Sequence, residues 1–282
     1  MGVLGQGLQK KLGLTSVKHI VAITSAKGGV GKSTTAVNLA VALATALKLR
    51  VGLLDADIHG PSLPTLMNLS GKPETNERGL LIPKDNFRVR CMSFGFFMEP
   101  DQPVIWRGPM VSNAFDKMLT GTEWGALDVL LVDMPPGTGD AQINLAQRIP
   151  LSGAVVVSTP QDVALVDARR GAKMLQQLRV PLLGMVENMS HHVCSQCGHE
   201  EHIFGKGGVT RAAKDFGLDV LGEVPLDAAV CATSDEGSPI AISAASSSCG
   251  KVYIEIAAKL LEKLRALEEG PAAGQGPKFT VE

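Results

Sequence analysis

Short, mostly apolar runs alternate along this chain with longer stretches whose apolar residues recur every three or four positions. The runs at 19–24, 50–54, 89–93, 128–132, 154–158, 182–187 and 220–224 read as β-strands. Several are apolar at successive positions, the pattern of parallel strands covered on both faces. The longer stretches predict helices over 32–47, 109–119, 140–148, 164–178, 209–216 and 251–267. This alternation implies an α/β fold with a doubly wound, mostly parallel sheet. Ligands of such sheets bind beyond the carboxyl ends of the strands. The pattern divides the chain into an N-terminal extension at 1–18, one domain over 19–268 and a C-terminal segment at 269–282. That last segment is rich in Gly, Pro and Ala without periodicity and is expected to be disordered. A polar insertion near 191–206 interrupts the alternation.

Composition narrows the possibilities. Hydrophobic residues make up 45% of the 282 and aromatics only 4%, so the core is expected to be aliphatic. A net charge of −1 gives no global electrostatic case for nucleic acid or an anionic membrane. No apolar stretch reaches the length of a membrane span. Residues 1–18 carry three lysines and no arginine, with neither a signal-peptide core nor a full Arg-rich transit pattern. Five irregularly spaced cysteines do not form a secreted disulfide framework and point to a reducing compartment.

The strongest motif follows the first strand. Ser25-Ala26-Lys27-Gly28-Gly29-Val30-Gly31-Lys32-Ser33-Thr34 is a glycine-rich turn that leads into a helix. Backbone N–H groups of such a turn, at the positive end of a helix, cradle phosphates. Lys32 is positioned to reach β- and γ-phosphates, and the Ser33 hydroxyl to bind Mg²⁺. Residues Gly28 to Thr34 are therefore the expected nucleotide-binding loop, with Lys32 also catalytic. The general pattern has glycine where this chain has Ala26, and a second lysine, Lys27, lies inside the loop.

Acidic residues end two further strands. Asp55 and Asp57 close the second, and Asp133 closes the run at 128–132, which is aliphatic from Val129 onward. A Mg²⁺-nucleotide needs oxygen ligands, often through water, and hydrolysis needs a group that orients the attacking water. The turn Asp133-Met134-Pro135-Pro136-Gly137-Thr138-Gly139-Asp140 is stiff, and its backbone is suited to sense a γ-phosphate. Asn188, after the strand at 182–187, is a candidate for base recognition, since its amide offers both a donor and an acceptor.

Cys194-Ser195-Gln196-Cys197 lies in the polar insertion and leaves three readings open. A redox dithiol wants a helix start in a thioredoxin-like unit. A zinc site would need His199 and His202 as the other two ligands. A cubane iron–sulfur cluster wants four thiolates, of which this pair supplies two, and a symmetric dimer would supply four. Cys91, Cys231 and Cys249 are scattered and are left out of the site.

The loop with its extra lysine resembles the deviant Walker A proteins, which include MinD-type ATPases, nitrogenase iron protein and the Mrp/ApbC iron–sulfur carriers. Over residues 18–267 the chain resembles the Mrp/ApbC family. The likeness rests on Lys27–Thr34, Asp55-Ala56-Asp57-Ile58-His59-Gly60-Pro61-Ser62, Trp106-Arg107-Gly108-Pro109, 133–140, Ser158-Thr159-Pro160-Gln161-Asp162, Asn188-Met189-Ser190, the cysteine pair and Ile203-Phe204-Gly205. Within the family, Met92-Ser93-Phe94-Gly95-Phe96, the Ile203-Phe204-Gly205 segment and the expected absence of added domains resemble the mitochondrial branch that serves assembly of respiratory complex I. The resemblance implies a homodimeric, slow ATPase using ATP and Mg²⁺, with a [4Fe–4S] cluster held by Cys194 and Cys197 of both subunits and passed to apo-proteins. It implies that Lys27 reaches the partner's nucleotide, that Asp57 serves the water and the first switch, and that Asp55 lies near a metal held through Asp133. It implies that Pro225-Leu226-Asp227 covers the base and that the protein works in the mitochondrial matrix, with the cytoplasm as alternative. Two other outputs stay open: a MinD/ParA-like positioning ATPase, and a zinc-stabilised nucleotide switch.

Overall fold

The computed structural model describes residues 14, 16–98 and 108–269, and the side chains of these except at 108–112. The elements run β1 (Val17–Thr24), α1 (Lys32–Thr45), β2 (Val51–Asp55), α2 (Leu63–Leu66), β3 (Lys84–Asn86), β4 (Val89–Ser93), a 3₁₀ turn (Phe94–Phe96) and α3 (Gly108–Thr120). They continue with β5 (Leu127–Asp133), α4 (Asp140–Arg148), β6 (Gly153–Ser158), α5 (Asp162–Gln177), β7 (Leu182–Asn188), β8 (His192–Val193), β9 (Glu200–Glu201) and α6 (Gly208–Asp215). The last are β10 (Val220–Val224), α7 (Ala228–Asp235), α8 (Ile240–Ser243) and α9 (Ser248–Glu269).

One eight-stranded sheet has the order β10-β7-β6-β1-β5-β2-β4-β3. Seven strands are parallel, and β3 is the antiparallel edge strand beside β4. All seven strands expected from the apolar runs are present, as are the six helices, with shifted ends. β1 begins at Val17, and Leu14 is buried, so the assumed extension at 1–18 reaches into the fold. Val17 N–H donates to the Leu14 carbonyl, 2.9 Å, and holds that entry in place. At the other end α9 takes in Glu269. The rest of the tail at 270–282, and Trp106-Arg107, lie outside the described residues.

The central strands are aliphatic and fully covered, as the runs implied: every residue of β2 and β6 is buried. Gly52 lets β2 lie flat against its neighbours, since a Cβ there would stand 2.6 Å from Leu127 Cδ1 and 2.9 Å from Leu130 Cδ1. α1 is enclosed on every side, with Thr35 to Ala44 all buried between the sheet and α8 and α9. A helix apolar all round belongs in a core. Under α5 and α6 a smaller cluster of Val156, Leu165, Ala168, Met185, Val209, Ala212 and Ala213 closes the other face. Trp124 is fully buried and donates from Nε1 to the Leu119 carbonyl, 2.9 Å.

Register brings the motifs to one edge. Asp55 pairs with Asp133, Ile23 with Asp133, and Asn188 with Val224. The loop after β1, both aspartates, Asn188 and the turn after β10 thus stand along the carboxyl ends of adjacent or near-adjacent strands.

Candidate nucleotide site and cysteine hairpin

The loop between β1 and α1 bends at Gly29, φ +79°, and Gly31, φ +81°, a left-handed region that side chains rarely adopt. No atom of the described residues lies within 4 Å of where a Cβ on Gly28 or Gly29 would stand, so the loop backbone faces open space among them. Gly31 caps α1 without any side-chain hydrogen bond to the helix end. Among the described residues, no side chain caps the first-turn amides of α1, as a phosphate cradle requires.

Lys32 is buried, and its ammonium donates to Asp133 Oδ1 at 2.5 Å and to Ser33 Oγ at 3.2 Å. Burial pushes the Asp133 carboxyl up from its ordinary range, and the Lys32 charge opposes that push. Three of the sequence-derived residues therefore converge within hydrogen-bond reach. Lys27 is half-buried and forms no ion pair with any described residue. Its carbonyl accepts from Ser25 Oγ, 3.0 Å, while the Ser25 carbonyl accepts from Gly137 N–H, 3.0 Å. The second bond ties the Pro135–Gly139 turn to the loop.

Asp55 is fully buried, and three protein donors already use its carboxylate. Asp57 N–H donates to Oδ1 at 3.1 Å, and Ser93 Oγ and Leu63 N–H donate to Oδ2 at 2.9 and 3.3 Å. Burial and then the neighbouring Asp133 push its pKa up to about 7, against the pull of those donors. Asp55 thus organises the turn that carries Asp57. Asp57 Oδ1 accepts from His59 N–H and Gly60 N–H, each 3.2 Å, and Oδ2 takes no hydrogen bond from a described residue.

Asn188 lies directly on the loop. Its Nδ2 donates to the Val30 carbonyl at 2.8 Å, and a Cβ on Gly31 would stand 2.1 Å from that nitrogen. One amide proton of the candidate base reader is therefore committed to the loop backbone. Asp227 caps α7 through Ala229 N–H, 2.8 Å, and its other oxygen accepts from the Cys249 thiol at 3.8 Å. Pro225 is half-buried at the end of β10.

Residues that sequence reasoning passed over also support the site. Buried Gln142 in α4 donates from Nε2 to Thr24 Oγ1, beside the loop, while its Oε1 has no partner. Its signal was the buried spacing of Gln142, Leu145 and Ala146 on one face of α4. Gly171 of α5 gives Ala26 and Thr138 room, with a Cβ position 3.4 Å from Ala26 Cβ. Buried Glu187 accepts from Val209 N–H, 2.8 Å, and so anchors the start of α6.

The polar insertion is a β-hairpin, in which His192 pairs with Glu201 and Val193 with Glu200. Cys194 N–H donates to the His199 carbonyl and Gly198 N–H to the Cys194 carbonyl, both 2.9 Å. Gly198, φ +71°, makes that tight return possible. The Cys197 and Gln196 amides turned on the Cys194 sulfur hold its thiol below the ordinary cysteine range. Cys194 is partly exposed and Cys197 exposed. The histidines considered for zinc are engaged elsewhere or exposed. His202 contacts the Ser190 carbonyl through Nδ1, 3.1 Å, and Glu200 through Nε2, 3.2 Å. Among the described residues no group of three His, Cys, Asp or Glu is placed to hold a metal ion. Cys91 is buried, with its thiol pushed up by burial, and Cys249 is pushed up to about 11 for the same reason. No helix among the described residues is long and apolar enough to cross a membrane.

A parallel sheet with a glycine loop, lysine and paired strand-end aspartates defines a P-loop NTPase of the MinD/ParA type. A family model described as ParA: NUBPL iron-transfer P-loop NTPase matches residues 16–261, and the chain belongs to that family. It is 52% identical over 265 residues to the iron-sulfur protein required for NADH dehydrogenase, mitochondrial, of Arabidopsis thaliana, covering 94% of this chain and 85% of that protein. It is 48% identical over 268 residues to the iron-sulfur cluster transfer protein NUBPL of Mus musculus, covering 95% and 84%. Among solved structures it resembles a nucleotide-binding protein from Archaeoglobus fulgidus in complex with ADP. The TM-score is 0.72 at 33% identity, over 83% of this chain and 91% of that one.

Proposed function

We propose that this protein is an ATP-dependent carrier of [4Fe–4S] clusters that works as a homodimer and delivers its cargo to apo-proteins, subunits of respiratory complex I among them. The observation that carries the reading is the hairpin: it presents two thiols at the surface, one of them depressed in pKa, with no third ligand placed beside them among the described residues. A cubane cluster needs four thiolates, and two copies of the hairpin supply them. The names of the plant and mouse relatives support an iron–sulfur cargo, and the plant name supports complex I and the mitochondrion, hence the matrix.

The amides of Gly28 to Thr34 hold the phosphates, and Lys32 leaves Asp133 to meet their β and γ oxygens. Ser33 directly and Asp133 through water are the residues that would hold Mg²⁺, which neutralises phosphate charge when bound. Asp57 orients the attacking water with its free Oδ2, and Lys27, unpaired among the described residues of its own chain, reaches the partner's nucleotide. Asn188, Pro225 and Asp227 border the base. Turnover by the isolated protein is slow, because hydrolysis waits on cargo or client.

The test is anaerobic reconstitution followed by iron and sulfide analysis. About four iron and four sulfide per dimer, absent from Cys194→Ala/Cys197→Ala, is the expected result. Stoichiometric zinc that excludes iron would overturn the cargo and leave a zinc-stabilised nucleotide switch.

A further inference from the structure

Two strand ends border the candidate nucleotide loop, and both run directly into the cysteine hairpin or the turn beside it. Asn188 ends β7 and touches Val30 and Gly31; Val224 ends β10 and pairs with Asn188. The chain leaves β7 through Met189, held at φ +56°, and reaches Cys194 within a few residues. Along that short path the hairpin base is stitched to the turn after β10. Ser190 donates to the Val224 carbonyl twice, from its N–H at 3.0 Å and its Oγ at 3.1 Å. Leu226 N–H donates to the His191 carbonyl at 2.7 Å. His192 Nδ1 lies 3.0 Å from the Leu226 carbonyl. A carbonyl only accepts, so Nδ1 carries the proton and donates. His202, at the far side of the hairpin, returns to the Ser190 carbonyl.

These bonds leave the hairpin little freedom to move independently of the turn after β10. The side chains that make them are not needed to bind phosphate, and none is a thiol. We propose that His192 and Ser190 are positioning residues that fasten the cysteine hairpin to the turn beside the nucleotide. Filling the nucleotide site then changes the exposure of Cys194 and Cys197 within a single subunit. The inference rests on the nucleotide-site reading above and adds to it a path between that site and the cargo thiols. Coupling of this kind needs a continuous physical connection between the sites, and the bonds that run from Asn188 through Ser190, Val224 and Leu226 to His192 form one.

The experiment uses the full chain without cluster, under anaerobic conditions, in a Cys231→Ser background. The exposed thiols are then those of the pair, since Cys91 and Cys249 are buried. The rate of alkylation by a fluorogenic maleimide is measured with and without MgATP, and nucleotide affinity is measured in parallel by calorimetry. The expected result is a rate change of about fivefold or more on MgATP binding, the lower range of allosteric couplings. His192→Ala and Ser190→Ala should keep their nucleotide affinity but respond by less than about twofold. His192→Asn, which sets an amide donor near the place of Nδ1, should restore the response. A response kept in full by both alanine variants overturns the proposal, as does tight MgATP binding with no change in alkylation. Absence of nucleotide binding in the unsubstituted chain would instead overturn the nucleotide-site reading, and the proposal with it.

Discussion

Gly31→Ala probes the closest approach in the nucleotide loop. Gly31 stands at φ +81°, where a residue with a Cβ costs about 1 kcal/mol or somewhat more. The new Cβ would lie 2.1 Å from Asn188 Nδ2. The amide must retreat by more than about 1 Å to reach ordinary contact, which breaks the Nδ2 bond to the Val30 carbonyl. Losing that bond adds about 1 kcal/mol. The sum is a destabilisation of about 2–3 kcal/mol, read by urea unfolding, with nucleotide affinity lowered about tenfold or more. A double-mutant cycle isolates the contact. In an Asn188→Ala background the obstruction is gone, so Gly31→Ala should cost only the backbone part, about 1 kcal/mol, and the cycle should close with about 1–2 kcal/mol of coupling. Additivity within about 0.5 kcal/mol, or a single variant as stable as the parent, would refute the packing of Asn188 on the loop.

Two other outcomes are expected. Burial raises the Glu187 pKa, so its folded-state value lies above the unfolded one; the stability it contributes is fully present below pH ~4.3 and is lost as pH rises through the folded value. Glu187→Gln should therefore gain in stability relative to the parent as pH rises through that window; chemical denaturation at a series of pH values would show it, and a constant difference would refute it. Lys27→Ala should bind MgATP with little loss, because Lys27 lacks an ion pair among the described residues of its own chain, but should lose ATP-dependent dimerisation; light scattering with and without nucleotide decides, and an intact dimer response would remove the cross-subunit role.

Periodicity exposed the sheet because its strands are buried on both faces, and an apolar run as short and unbroken as 129–132 suits a covered strand far better than a helix. It was silent on β3, whose Lys84-Asp85-Asn86 is polar and pairs only at the edge of the sheet. It was silent on α7, which has no buried residue to set a period, and on the hairpin strands, two residues each. The phosphate loop was legible because its chemistry is local: glycines, lysine and serine act from consecutive positions. The loop's supports were not, because their partners come from far along the chain. Asn188 meets Val30, Gln142 meets Thr24, and Asp55 meets Ser93 only after the sheet has formed. An aspartate at a strand end looks the same in sequence whatever its carboxylate meets, and only the fold shows Asp55 accepting from Asp57, Leu63 and Ser93.

The enclosure of α1 has a consequence for how tightly and how fast this loop can work. A helix walled in from Thr35 to Ala44 fixes its first-turn amides before any phosphate arrives. Association then spares the ordering cost of about 0.5–1.5 kcal/mol per side chain that a pliant pocket incurs, and encounter need not wait for the loop to fold around its guest. Such a loop is a template, already cut to the shape of what it holds. On the coupling proposed above, adjustment between loaded and empty protein falls to the segments that hang from the strand ends, the turn after Asp133 and the hairpin after Asn188.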